Sequence, residues 1–391
     1  MAKVKGSALY VKIAATILAI SLIVFREFIF YGHDFLFDGV LSDLLRANYP
    51  VYCSLYDNLT QGWSFWSWNM GIGTSVLTHA DVMFDPFTYI TFLFGREHIA
   101  DMMVWSFVMK IICEGVSIAV YLNYLRFNSR AVLIASVLYA FTGYSLIMGS
   151  NLALGTILVI FPFILIGVEK LLKEKKIAVL LLSLFLTCML SYYFFYVSGI
   201  LVVIYLIARS IYEKKQCSTI LIFLMVLAGT AVAVMGMAGG ILLPQMDLVR
   251  NSSRMEPFDA EKLRDLLLPG FDVLITAILR VFANDILGNM VVDGYYGGLH
   301  DYFQVSTYTS ALCIILVFQV WNLMTDKQKK MLKWSFILTV VAILFPFFSF
   351  ILNAFSTVNY RWMFFVNLQV TVTLAFCLDL LFGKGETVRK L

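Results

Sequence analysis

The sequence has 391 residues, of which 61% are hydrophobic and only 14% charged, and its formal net charge is +4. An average soluble domain is roughly 45–50% apolar and about 25% charged. So few charged side chains cannot cover the surface of a soluble protein of this size. The composition therefore excludes a cytosolic enzyme, a disordered chain and a nucleic-acid binder, and it indicates an integral membrane protein.

Apolar runs set the expected number of transmembrane helices, because a helix needs about 20 mostly apolar residues to cross a bilayer. The runs of sufficient length are 8–30, 102–124, 131–149, 152–169, 219–243, 304–324, 334–352 and 361–382. The stretch 177–209 is too long for one span, and its SYYFFY run at 191–196 predicts two short helices that meet near one membrane face. We expect an all-α polytopic membrane protein, with about ten transmembrane helices in a single transmembrane domain, 1–391.

The distribution of charge predicts which loops face the cytoplasm, because short cytoplasmic loops carry an excess of Lys and Arg. With the N-terminus inside, 19 of the 29 basic residues lie in the inner segments 1–12, 126–130, 170–176, 209–215, 327–333 and 384–391. Two outer segments, the first long loop (31–101) and the second long loop (244–303), hold 17 of the 25 acidic residues. The sequence thus predicts a multi-pass protein of the cell membrane, with both termini in the cytoplasm and an uncleaved first span.

Both long loops exceed the usual length of a connector, which is typical of functional segments. Apolar residues recur at helical spacing from Leu41 to Leu59 and predict an amphipathic interfacial helix that bends at Pro50. The apolar segments 86–94 and 272–284 are too short to span, so we expect them to be interfacial or re-entrant. The two loops are predicted to fold onto the outer face of the membrane and to roof a cavity.

Cysteine and histidine positions give no sign of a metal centre. None of the six cysteines has a paired spacing, so neither a zinc site nor a disulfide framework is predicted. The His79-x-Asp81 pair is too weak a pattern to indicate a cation site. The sequence predicts neither a metal nor a cofactor.

Several motifs in chain order carry a family resemblance. From residue 42 the chain reads SDLLRANYPVYCSLYDNLTQGWSFWSWNMGIG, and DPF at 85–87 then leads into an apolar stretch. Further motifs are LLPQMDLVRNSSR at 242–254, YYGG at 295–298 and YRW at 360–362. Together they resemble the bacterial YfhO-like membrane protein family, over essentially the whole chain.

The resemblance implies a fold and an activity. That family is assigned to the polytopic glycosyltransferases of the GT-C type, so a GT-C-like helix bundle is expected. The implied reaction moves a sugar from a polyprenyl-phosphate donor to a cell-envelope acceptor, a teichoic-acid-like polymer or a glycolipid, on the outer face. The implied partners are this donor, this acceptor and membrane lipids. Members are usually longer, so we expect a short or truncated member that lacks their extracytoplasmic C-terminal region.

The resemblance also suggests site residues. GT-C enzymes commonly use an acidic residue of the first outer loop as a base, and Asp43 is the matching position, with Asp38 as its near alternative. A carboxylate is needed there because a sugar hydroxyl is a poor nucleophile until its proton is removed. The leaving phosphate requires fixed cations, for which Arg361 and either Arg254 or Arg250 are candidates.

Residue type suggests the sugar contacts, because aromatic rings pack on the apolar face of a sugar and carboxylates bind its hydroxyls. The candidates for acceptor or sugar binding are Trp66, Trp68, Asn69, Asp85 and Tyr296. The alternative for the aromatic residues is an interfacial belt, and composition alone favours it.

Each charged candidate also has an ordinary structural interpretation. Asp43 is one turn from Arg46 and can pair with it, and Asp38 precedes a glycine, as turn residues do. Asp85 precedes a proline and can cap the helix that follows. Arg361 can act as an interfacial anchor beside the tryptophan that follows it.

Lys110 and Glu114 lie one helical turn apart within a predicted span. An ionisable residue at the middle of a membrane helix costs about 2.5–3.5 kcal/mol on insertion scales, and a mutual ion pair would reduce that cost. We interpret both as structural, or as lining the cavity that admits the lipid phosphate. Together with the broken stretch 177–209 they motivate a second hypothesis, a transporter or flippase of a lipid-linked envelope precursor. A structural scaffold for envelope synthesis is the third.

Overall fold

The computed structural model describes residues 2–36, 44–68, 70, 73–149, 151–251, 277–282, 308–355 and 358–382. The helices in these ranges, numbered in chain order, are α1 Ala2–Val24, α2 Arg26–Phe30, α3 Tyr49–Gln61, α4 Ala80–Met83, α5 Ile99–Tyr124, α6 Ser129–Ala140, α7 Gly143–Met148, α8 Leu152–Glu174, α9 Ala178–Leu190, α10 Tyr192–Tyr212, α11 Cys217–Met237, α12 Gly239–Arg250, α13 Leu312–Val320, α14 Asp326–Leu344, α15 Pro346–Leu352 and α16 Phe364–Phe382. Strands β1 Trp66–Ser67 and β2 Thr74–Ser75 form a small antiparallel hairpin. The all-α prediction is confirmed.

Seven helical stretches of the described residues are long and apolar enough to cross a membrane. They are Ser7–Val24, Arg96–Tyr124, Ser129–Met148, Leu154–Glu174, Tyr192–Tyr212, Cys217–Met237 and Arg361–Phe382. An eighth is obtained if α14 and α15, which are bent by 89°, are counted as one span. The expected count of about ten is not confirmed, because α9 and the helical stretch Leu312–Leu323 fall below the length that a span requires.

The predicted break within 177–209 is confirmed. Helix α9 ends at Leu190 and α10 begins at Tyr192, with Ser191 extended between them at φ −160° and ψ 120°. The Ser191 hydroxyl accepts a hydrogen bond from the Phe194 N–H, so this residue caps α10. A serine before an aromatic run is therefore the local signal that ends one apolar helix and starts the next.

The chain divides into two compact units, which we describe separately. Unit 1 comprises 1–20, 111–148 and 257–391, and unit 2 comprises 21–110 and 149–256. In unit 1, α6 and α13 pack on α16. Their shared core contains Ala131, Cys313, Leu374 and Leu378.

Unit 2 is built around the contact of α8 with α9 and α10. Gly167 permits the close approach of α9, since a Cβ there would lie 2.6 Å from the Cα of Leu180. At the end of α8 the fully buried Glu169 accepts hydrogen bonds from Tyr205 at 2.7 Å and from Arg209 Nε at 2.6 Å. These charge-assisted bonds join α8 to α10.

The first long loop folds into several short elements of unit 2. A π-helical turn, Leu44–Asn48, leads directly into α3, and Pro50 lies in the first turn of α3, where its missing N–H leaves no bond unmade. The expected apolar face is only partly buried: Tyr52 and Leu55 are buried, whereas Leu59 is 44% exposed. Short helical turns at Thr88–Phe92 and Arg96–His98 then lead into α5. The predicted helix 272–284 lies mostly outside the described residues.

Candidate functional site

A buried ion pair connects the first long loop to α5 in unit 2. Asp85 is 0% exposed and Lys110 is 3% exposed. The Lys110 ammonium donates to Asp85 Oδ2 at 3.2 Å, and the Thr156 hydroxyl of α8 donates to the same oxygen at 3.0 Å. Charge removed from water must be paired and hydrogen-bonded. These contacts therefore hold the first long loop, α5 and α8 together.

Local chemistry orients the Asp85 carboxylate. The proline after Asp85 starts a tight turn, in which Asp85 Oδ1 accepts the Phe87 N–H at 3.1 Å. The Ser106 hydroxyl of α5 donates to the Phe87 carbonyl at 2.7 Å, and the Lys110 ammonium lies 5.5 Å from the Phe87 ring centroid. The turn is thus held on α5 by hydrogen bonds and a cation–π contact.

A small cavity of about 10 Å³, room for about one water molecule, lies beside the ion pair, and Lys110 lines it. The other lining residues are Phe35, Tyr52, Met103, Ser106, Phe107 and Gly149. Its aromatic side belongs to a larger ring cluster, in which Phe35 stacks on Phe107 at 5.3 Å and Phe25 contacts both rings. We call this space, with its cationic and aromatic sides, the Lys110 cavity.

The start of α3 is tied to the start of α8 by a second buried polar contact. The Asn48 amide donates to Asn151 Oδ1 at 2.7 Å, and both side chains are buried. One turn after Asn48, Tyr52 lines the Lys110 cavity. Burial raises the pKa of Tyr52 far above its usual value, so the phenol remains protonated and can donate a hydrogen bond.

A second small cavity, also of about 10 Å³, lies within the first long loop between α3 and the segment after the hairpin. Its lining is mainly apolar but includes Ser54 and His79. Burial lowers the pKa of His79 and raises the pKa of neighbouring Asp81 to about 6. Within the described ranges, no three His, Cys, Asp or Glu side chains converge, so no metal ligands are assigned.

The hairpin presents an aromatic pair. The Trp66 and Trp68 rings meet edge to face with centroids 5.6 Å apart, and the side chains are 46% and 76% exposed. Both rings rest on Gly73, whose φ of +107° suits glycine and where a Cβ would lie 2.8 Å from Trp66 Nε1. The pair is therefore a shaped surface that a side chain at residue 73 would disrupt.

The comparison with protein families decides the relationship of this chain. A model of the family described as bacterial membrane protein YfhO matches residues 13–388. The chain belongs to the YfhO family. No curated protein and no solved structure matches it.

The predicted site residues that the structure describes belong to two different units. Trp66, Trp68 and Asp85 all belong to unit 2, as does Arg250, the exposed last residue of α12. Arg361 belongs to unit 1, at the start of the span Arg361–Phe382. The remaining candidates lie outside the described residues and stay predictions: Asp38, Asp43, Asn69, Arg254 and Tyr296.

Asp85 has a structural role, as its alternative interpretation as a capping residue predicts. Its carboxylate caps the turn through Phe87 and also pairs with Lys110. Because it is fully buried and accepts three hydrogen bonds, this geometry does not present it to a sugar. This pairing could not be predicted from local spacing, because Asp85 and Lys110 are 25 residues apart in the sequence.

Lys110 and Glu114 each contact a different neighbouring segment. Among the ion pairs of the described residues, Lys110 has Asp85 as its partner. Glu114, in unit 1, accepts a hydrogen bond from the Ser145 hydroxyl at 2.6 Å. Spacing along α5 placed the two groups on one face, and neighbouring segments supply a partner for each.

The surroundings of Arg361 fix its backbone. The Arg361 N–H donates to Asn359 Oδ1 at 2.8 Å. The Tyr360 hydroxyl donates to the Ile343 carbonyl at 3.3 Å and the Trp362 indole donates to the Ser349 hydroxyl at 3.0 Å. The side chains on either side of Arg361 therefore form hydrogen bonds with α14 and α15. These two helices meet at a bend that directly precedes Pro346.

Proposed function

We propose that this YfhO family protein is a membrane glycosyltransferase that moves a sugar from a polyprenyl-phosphate donor to a cell-envelope acceptor on the outer face. The observation that carries the proposal is the set of residues that line the Lys110 cavity. A buried ammonium and aromatic rings occur there together, and cationic and apolar groups side by side suit a molecule with an anionic head and an apolar chain. Its position under a long folded loop fits a substrate drawn from the lipid phase.

The proposed reaction is a single displacement at the anomeric carbon of the donor sugar. The oxygen of an acceptor hydroxyl forms a bond to that carbon as the bond from the carbon to the phosphate oxygen breaks. The hydroxyl proton passes to the carboxylate of Asp43, with Asp38 as the alternative base. The polyprenyl phosphate leaves with the bonding electron pair.

Cations stabilise the charge that develops on the leaving phosphate. The candidates that we propose for this role are Arg361 and, from the segment after α11, Arg254 or Arg250. Arg361 suits a planar, bidentate contact with phosphate oxygens, and its backbone is held on both sides.

For the acceptor we propose the exposed pair Trp66 and Trp68, and we keep Asn69 and Tyr296, which lie outside the described residues, as candidates for hydrogen bonds to the sugar hydroxyls. The two indoles meet at an interplanar angle of 69° and form a corner. A sugar ring can lie on one indole while its edge contacts the other.

The test is the transfer of labelled sugar from a panel of polyprenyl-phosphate sugars by the purified chain in vesicles. Asp43→Asn keeps the side-chain shape but removes the base, so we expect transfer to fall by about 10²–10⁴-fold. Asp34→Asn is the matched control, because Asp34 is an exposed carboxylate of the same loop, and we expect unchanged transfer. Full activity of the Asp43 variant would remove it as the base.

A flippase of a lipid-linked envelope precursor is the second candidate, and the discontinuous helices favour it. The bent pair α14 and α15 and the short helix α9 resemble the broken helices of transporters. Vesicles with labelled polyprenyl-phosphate sugar in one leaflet and no acceptor separate the two functions. Transfer to the other leaflet supports the flippase, and its absence together with sugar transfer to an added acceptor supports the enzyme.

A further inference from the structure

Five large apolar side chains of the first long loop are exposed. Leu59 and Trp63 are 44% and 42% exposed, Phe65 is 62% exposed, and Leu93 and Phe94 are each 68% exposed. We call this set the apolar rim. Exposed apolar groups of this size usually have a partner surface.

Polar contacts hold the rim around the first residue of a membrane span. The Arg96 guanidinium nitrogen Nε donates to both oxygens of Asp57 at 2.8 and 3.0 Å. Arg96 is also the first residue of the span Arg96–Tyr124. Asp57 lies two residues before Leu59, and Leu93 and Phe94 lie just before Arg96, so these rim residues are tied to the segment that leads into α5.

The aromatic rim residues Trp63 and Phe65 are connected to the end of α3 next to Asp57. The Asn58 amide donates to the Ser64 carbonyl and the Ser64 N–H donates to Asn58 Oδ1, both at 2.8 Å. Trp63 and Phe65 flank Ser64, and their rings meet edge to face at 5.6 Å. These rings are therefore tied, through the Ser64–Asn58 hydrogen bonds, to the residue that follows Asp57.

The two faces of the hairpin carry different side chains. Ser67 points toward α3, because its hydroxyl lies 3.2 Å from the Ser54 hydroxyl. Side chains alternate along a strand, so Trp66 and Trp68 are on the other face, over Gly73. The hairpin therefore carries two aromatic pairs that point in different directions.

We propose that the apolar rim lies in the headgroup layer of the bilayer, with Arg96 beside lipid phosphates, and that the Trp66–Trp68 pair faces water. The argument for lipid is continuity, since Leu93 and Phe94 directly precede a candidate membrane span and Arg96 at its start binds Asp57 beside the other rim residues. Aromatic and basic side chains are the residues that anchor a protein at this depth. The inference does not depend on glycosyl transfer, but it supplies a reason why the first long loop would remain on the membrane.

Tryptophan quenching tests the proposal on the full chain in phospholipid vesicles. The probes are phospholipids brominated on the acyl chain near the headgroup, and aqueous acrylamide. The chain has seven tryptophans, so each residue is read as the emission lost in a single variant, Trp63→Phe or Trp68→Phe. We expect Trp63→Phe to remove lipid-quenched emission, and Trp68→Phe to remove acrylamide-quenched emission.

Three outcomes overturn the proposal. Trp63 emission quenched by acrylamide alone would place the rim in water, and emission protected from both quenchers would indicate a protein partner or a second copy. Equal lipid quenching of Trp63 and Trp68 would contradict the two-face arrangement. Phe65→Trp is a second reporter that preserves an aromatic ring, and we expect it to add lipid-quenched emission. Because the vesicles contain no donor or acceptor, none of these results depends on enzymatic activity.

Discussion

At the scale of single residues, the pair Asp85–Lys110 is the feature with the largest expected energetic effect. Both groups are almost completely buried, and the Asp85 carboxylate accepts three hydrogen bonds. Removing one member of a buried pair leaves an uncompensated charge, whereas removing both often restores stability.

We therefore expect Lys110→Met to reduce the free energy of unfolding by about 3–5 kcal/mol. The measurement is thermal unfolding of the purified chain in detergent. Adding Asp85→Asn to Lys110→Met is expected to recover part of the loss, because no buried charge then remains without a counter-ion.

The control is the pair Lys176–Glu174, whose side chains are 72% and 39% exposed. Solvent screens such a pair, so Lys176→Met is expected to change stability by no more than about 1 kcal/mol. Equal effects of Lys110→Met and Lys176→Met would show that the buried pair has no special role in holding the loop.

Asp81 predicts a pH dependence. Burial is the main cause that raises its pKa to about 6, and the Asp85 charge adds to it. The pKa of an unfolded aspartate is about 3.9, so the folded state binds more protons than the unfolded state between these values. The contribution of Asp81 to the free energy of unfolding is therefore present below about pH 4 and is lost as the pH rises through 6.

We expect Asp81→Asn to be more stable than the parent chain near neutral pH, with the difference shrinking toward pH 4. The measurement is the melting temperature of both chains across this range. His79, whose pKa burial lowers, is present in both chains. A difference that stays constant with pH would contradict the raised pKa of Asp81.

At the scale of elements, close helix contacts depend on individual glycines. A Cβ at Gly167 of α8 would lie 2.7 Å from the backbone nitrogen of Leu180 in α9, whereas a Cβ at Gly229 of α11 meets nothing within 4 Å. Backbone atoms cannot move aside as a flexible side chain can, so the two positions should respond in opposite ways.

Gly167→Ala is expected to destabilise the chain by about 1–3 kcal/mol through overpacking. Gly229→Ala is expected to stabilise α11 by about 0.5–1 kcal/mol, because alanine loses less backbone entropy on folding. Detergent unfolding of the two variants measures both effects. If both substitutions stabilise, the contact between α8 and α9 is looser than these distances indicate.

At the scale of the whole molecule, charge predicts the sidedness of the loops. Basic residues concentrate in short segments and acidic residues in the two long loops. The exposed Cys217 lies two residues after the predicted inner segment 209–215, and the exposed Asp34 lies in the first long loop.

We expect a membrane-impermeant maleimide to label Asp34→Cys on intact cells, and to label Cys217 only after permeabilisation. The measurement is the mass of each labelled peptide. Labelling of Cys217 on intact cells with protection of residue 34 would reverse the predicted orientation and place the first long loop in the cytoplasm.

The amino-acid sequence by itself determined the membrane class, the helical fold and the positions of most spans. Composition and run length decide these features, because the bilayer imposes its thickness on every helix that crosses it. The break at Ser191 was also predictable, since capping residues and aromatic runs act over a few neighbouring positions.

Only the tertiary structure decided which buried charges are partners and which face of the first long loop packs inward. Lys110 had to find a counter-ion, and its partner Asp85 lies 25 residues away in the sequence. Burial sets a requirement for pairing but does not say which segment satisfies it. The same applies to α3, where the packing of the whole loop buries Val51 and Cys53 and leaves Leu59 exposed.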